Sequence, residues 1–67
     1  IQINAGSQLK EHVTNVPAIL VCVIGEVTFE NEKGSKEILI PGDYVNIETN
    51  VKHWVTAAND SNLLLIK

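Results

Sequence analysis

Turn-forming clusters cut this chain into runs too short for helices. "NAG" near the start, "NEKGS" at 31–35, "PGD" at 41–43 and "NDSN" at 59–62 are rich in Gly, Pro, Asn, Asp and Ser. Each of these residues supplies a backbone angle or a local hydrogen bond that reverses the chain. Between them lie "AILVCVIG", "EVTFE", "EILI", "YVNIET", "HWVTAA" and "LLLIK", whose β-branched and aromatic side chains suit pleated, half-buried strands. No window repeats apolar residues at i, i+3, i+4 and i+7 for long enough to make an amphipathic helix. The pattern predicts an all-β fold, a small antiparallel sandwich or barrel, as one domain over residues 1–67.

Alternation along the strands assigns faces, because successive side chains point to opposite sides of a sheet. In "EVTFE", Val27 and Phe29 face inward while Glu26, Thr28 and Glu30 face outward. In "YVNIE", Val45 and Ile47 face inward while Tyr44 and Asn46 face outward. Gly34 in the intervening polar loop is the residue best able to take a positive φ. The run "AILVCVI" differs: Ala18, Leu20, Cys22 and Ile24 share one face, and Ile19, Val21 and Val23 share the other. A strand apolar on both faces is covered on both. Burying three such side chains is worth about 1.5–3 kcal/mol each, which matters in a 67-residue chain that buries only roughly 60% of its unfolded surface. The second face is therefore expected to form a homodimer interface through Ile19, Val21 and Val23; another segment or sheet is the alternative cover.

Other sources of stability and several functions are excluded by composition. One cysteine, Cys22, cannot make an internal disulfide, there is no CxxC pair, and a thiol in an apolar run reads as a small buried hydrophobe. Five lysines and no arginine, against eight acids, give a formal charge of −3. The lysines are scattered, so no cationic cluster suits a nucleic-acid backbone. The longest apolar runs, Val16 to Ile24 and Leu63 to Ile66, fall well short of a helical bilayer span. No charged leader with a cleavage site is visible, and with the free thiol this leans towards the cytoplasm. Ser7, Ser35 and Ser61 lie in turns without a His–acid arrangement, no G-x-S-x-G or Gly-rich phosphate loop occurs, and no carboxylate pair can be placed on one pocket. No residue is assigned a catalytic role.

Two segments carry a spacing that resembles the cupin family. Its first motif, G-x5-H-x-H-x3,4-E-x6-G, is matched in register by Gly6, His12, Thr14, Ala18 and Gly25, over about residues 6–25. Its second, G-x5-P-x-G-x2-H-x3-N, is matched by Gly42, Glu48, Asn50, His53 and Ala57, over about residues 42–59. Three of the four metal-ligand positions lie in the first motif; Thr14 and Ala18 replace a histidine and the glutamate. The order of "LKEHVTNVPAILVCVIGEV" and "IPGDYVNIETNVKHWV" is similar to that of short single-domain bacterial cupins whose biochemical role is generally unassigned.

The resemblance implies a jelly roll, or double-stranded β-helix, with His12 and His53 facing the interior near one mouth. It also implies a pocket formed by His12, Thr14 and His53. A divalent transition metal on His12 and His53 would have two of the usual four ligands and is not favoured, because metal centres of this kind take at least three protein donors. Glu11 adjoins His12 and is expected on the opposite face, Glu26 and Glu30 point outward, and Glu48, in a loop, is the best remaining carboxylate. Trp54, next to His53, is expected to face outward as an interface or sheet-covering aromatic rather than a platform for substrate. Two functions follow. The first is a module that binds a small molecule in its pocket without catalysis. The second is a metal-dependent cupin enzyme, an oxygenase or isomerase acting on a small organic acid or sugar-like substrate, which needs another ligand.

Overall fold

A computed structural model describes the backbone of residues 1–67 and the side chains of all but Glu11. Eight strands follow one another: β1 (Gln2–Ile3), β2 (Gln8–His12), β3 (Ala18–Ile24), β4 (Val27–Asn31), β5 (Lys36–Leu39), β6 (Tyr44–Ile47), β7 (His53–Ala57) and β8 (Ser61–Ile66). They form two four-stranded sheets of order β1-β8-β3-β6 and β2-β7-β4-β5, with every pairing antiparallel. Only the step from β4 to β5 stays within one sheet; every other connection crosses to the opposite one. That is the strand order of an eight-stranded jelly roll, built here with almost no residues to spare.

The core lies between the sheets and is made by the inward side of the alternation. Leu20, Cys22 and Leu63 from one sheet meet Val27, Phe29 and Val55 from the other, each at most 2% exposed. Val27 and Phe29 alternate with the less buried Thr28 and Glu30, and Ile47 is buried beside a half-buried Val45, as their alternation predicts. Ile24 departs from its expected face and is 61% exposed. Cys22 pairs with Leu63 and Ile24 with Asn62, so β3 holds one residue more than β8 over this stretch. Such a bulge reverses the parity of everything beyond it. Val23, inside the bulge, is exposed as well.

A second bulge sits in β2. Leu9 pairs with Val55 and His12 with His53, so three steps on β2 span two on β7. Strict alternation would put His12 on the face opposite Leu9; the added residue puts both on the inner side. Two turns depend on special backbone angles. Gly25, at the end of β3, has φ +97, and a Cβ there would lie 2.6 Å from the Asp60 carbonyl and 2.7 Å from Ser61 Cα. Asn50, before β7, has φ 60, a conformation that Asn tolerates better than most residues. Its N–H donates to the Thr14 carbonyl at 2.8 Å, tying the loop before β7 to the loop after β2.

Candidate functional site

These two loops frame one end of the jelly roll, and a cavity of about 250 Å³ opens there. β2 and the loop after it contribute Leu9, His12, Val13 and Thr14; β3 contributes Ala18 and Leu20. Ile47 ends β6 at the same mouth, His53 and Val55 begin β7, and Leu65 and Lys67 come from the C-terminal end, with Ile1 closing the ring. The lining side chains are hydrocarbon apart from two imidazoles, one hydroxyl and one ammonium. The three pocket residues named from the motifs, His12, Thr14 and His53, all line this cavity.

His53 is the best defined of them. It is buried, with the Phe29 ring at 5.6 Å on one side and the His12 ring at 6.1 Å on the other, both within 30° of parallel (26° and 28°). Its Nδ1 lies 3.4 Å from the Val51 carbonyl. A carbonyl can only accept, so this contact places the proton on Nδ1 and leaves Nε2 with a free lone pair. Burial pushes the His53 pKa below its ordinary value of 6.5; neighbouring His12 pushes the same way and the Val51 contact opposes them. His12 is exposed at the mouth. Thr14 is buried but already occupied: its Oγ1 donates to the Val16 carbonyl at 2.7 Å and accepts from the Val16 N–H at 3.3 Å.

This donor set does not fit a resident metal ion. Its candidate donors are two imidazoles and a neutral hydroxyl whose proton and one lone pair are used by Val16, and Ala18 stands where a carboxylate would be needed. Among the described residues no three His, Cys, Asp or Glu side chains come together. Glu48 does not supply the missing ligand, because its carboxylate is exposed and takes a 2.8 Å ion pair from Lys33 Nζ. Glu26 and Glu30 do not line the cavity, and the facing expected of Glu11 lies outside the described residues.

Other expectations have a definite place. Trp54 alternates with His53 and Val55 on β7 and is half-buried on the outer side, where its indole N–H donates to Glu30 at 3.0 Å. Cys22 is fully buried, and burial first, then the nearby Asp43 charge, raises its thiol pKa, which suits a core residue rather than a nucleophile. Ile19, Val21 and Val23 lie on the outer side of β3, the first two half-buried and Val23 48% exposed. Lys67, Leu65 and Ile1 are cavity residues that sequence reasoning misses. They come from the two ends of the chain, and no motif spacing connects those ends to the histidines.

No protein-family model matches the sequence, and the sequence of no curated protein matches it. Solved structures do match. A cupin superfamily protein from Desulfitobacterium hafniense superposes with a TM-score of 0.91 at 17% identity, over 98% of this chain and 60% of its own. The CENP-C cupin domain of Drosophila melanogaster gives 0.87 at 20% identity, over 97% and 55%. The DMSP lyase DddQ from Ruegeria pomeroyi gives 0.85 at 23% identity, over 97% of this chain and 33% of its own. The chain thus spans between a third and three-fifths of the length of these three structures. At such identities the likeness speaks for architecture, and it agrees with the strand order and the motif spacing: this chain has the fold of the cupin superfamily.

Proposed function

We propose that this cupin-fold domain binds a small molecule in the cavity at the His12–His53 end and performs no chemistry on it. The observation that carries this reading is the make-up of the wall. It offers an apolar recess with a few convergent polar groups, the usual composition of a ligand pocket, yet among the described residues it brings together no nucleophile with a base, no acid–base pair of carboxylates and no third metal donor. The volume of the recess, about 250 Å³ or about eight waters' worth of space, limits the occupant to a small molecule.

The alternative is a metal-dependent enzyme, an oxygenase or isomerase acting on a small organic acid or sugar-like substrate. One observation favours it: a protein named as a lyase, DddQ, shares the fold. It would need a ligand that these residues do not provide. Untagged protein produced with added iron, manganese, nickel and zinc separates the two by elemental analysis. The binding reading predicts less than about a tenth of an equivalent of any of them. A full equivalent that disappears in the His12→Ala, His53→Ala double variant overturns it in favour of the enzyme.

The same domain is proposed to act as a homodimer through the outer face of β1-β8-β3-β6. Ile19 stands opposite Ile66, and Val21 between Leu64 and Tyr44, with Leu64, Ile66 and Tyr44 each about half or more exposed at 52%, 47% and 63%. The outward positions of the other sheet mix Thr28, Glu30, Lys36 and Thr56 with Ile38 and Trp54. The apolar face covers roughly 15 by 20 Å by strand spacing and rise, the size of the largest patch on an ordinary monomer, which is often functional. Its polar members, the Asn46 amide and the Tyr44 hydroxyl, both donate and accept, so a two-fold copy of the same face satisfies them without setting like charges together.

A further inference from the structure

The charge around the cavity is unlike that of the chain as a whole. Acids outnumber lysines by eight to five over the sequence, yet among the described residues the cavity is lined by one lysine and no acid. Lys67 carries the one cationic side chain among the described lining residues, and the exposed His12 ring lines the same cavity. Deeper in, Leu9, Ala18, Leu20, Ile47 and Val55 present only hydrocarbon. A ligand that satisfies both zones has a single anionic end and an apolar body. Its size is set by the cavity, about 250 Å³, or on the order of eight to ten non-hydrogen atoms at the volume each water occupies in the liquid.

We infer that the cavity takes small aliphatic or aromatic monocarboxylates, with the carboxylate held at the mouth by Lys67 and His12 and the hydrocarbon lodged against Leu20 and Val55. This inference rests on the cavity being a binding site and adds which chemistry it selects. A cation is disfavoured by Lys67. A sugar is disfavoured by the wall, because its hydroxyls would give up water for partners that Leu9, Ala18, Leu20 and Ile47 cannot supply. A neutral molecule of the same shape would gain the hydrophobic contribution and forgo the charge-assisted hydrogen bond at the mouth.

Isothermal titration with hexanoate, hexanamide and hexylammonium, three chains of one length and three headgroups, tests the inference. Hexanoate is expected to bind at least about fivefold more tightly than hexanamide, the size of effect one charge-assisted contact at a partly open site produces. Lys67→Gln, a substitution at an exposed position that leaves the core untouched, is expected to remove most of that difference. Equal binding of hexanoate and hexanamide, or tightest binding of hexylammonium, overturns the selectivity for acids and leaves the cavity a binding site. Failure of all three to bind, with no change at cavity residues in the NMR spectrum, overturns the binding reading as well.

Discussion

His53 sits between two aromatic rings, and that surrounding decides its charge. Burial, reinforced by the neighbouring His12, holds its pKa below 6.5, so the folded protein favours the neutral ring. As pH falls, the unfolded chain takes up this proton first, and folding loses stability below about pH 6.5 until the folded ring protonates too. Above about pH 7.5 neither state is protonated there and the contribution vanishes. Melting temperature is therefore expected to drop between about pH 7.5 and pH 5.5, with part of that drop missing in His53→Gln. Identical pH slopes for the two proteins, followed by calorimetry, would contradict this account of the ring. Asn50 shows a different kind of residue-level constraint. It stands where the second motif has glycine, and its φ of 60 explains why asparagine can stand in: the position demands a left-handed backbone, and asparagine is among the side chains that accept one.

At the scale of strands, alternation was readable wherever pairing is regular. Val27 and Phe29 on β4 are buried in alternation with Thr28 and Glu30, as the spacing alone predicts. The spacing does not record the two bulges. A bulge adds one residue to one strand without any change in composition, and the parity of every later residue depends on it. Alternation puts Ile24 on the face of Leu20 and Cys22, and the bulge between Cys22 and Ile24 leaves it 61% exposed. His12 shows the opposite outcome: counting from Leu9 by alternation would turn it outward, while the motif spacing, which already contains the inserted residue, puts it opposite His53. The lining by Ile1, Leu65 and Lys67 was hidden for another reason. Proximity between chain ends is a property of the strand order, and no local pattern records it. Glu48 lies in a loop, where alternation fixes no facing, and its ion pair with Lys33 removes it from the site.

For the molecule as a whole, the difference between its two outer faces carries the main consequence. One sheet shows threonines and charged residues around Ile38 and a Trp54 tied to Glu30; the other shows Leu64, Ile66, Tyr44 and Val23 to solvent. A second copy on the apolar face would stabilise a chain too short to build a large core. Val21→Lys places a charge in that contact, and Leu64→Glu does so at a position already half exposed, where folding is less at stake. Sedimentation velocity is expected to show a dimer for the parent protein and a monomer for Leu64→Glu. A monomeric parent, or a Leu64→Glu protein that sediments unchanged, would rule out this face as the contact.

The claim that joins residue, strand and fold is that His12 and His53 look into one cavity and meet a small molecule there without help from a metal. The most direct measurement is a long-range proton–nitrogen NMR spectrum of the two imidazoles, recorded on chelator-treated protein while hexanoate or hexanamide is added. Saturable shifts of both rings are expected, His53 Nε2 included, with the outward Trp54 indole unmoved and the response lost in Leu20→Trp, where the recess is filled. Rings that stay unchanged, or that respond only after a transition-metal ion is supplied, would contradict the account.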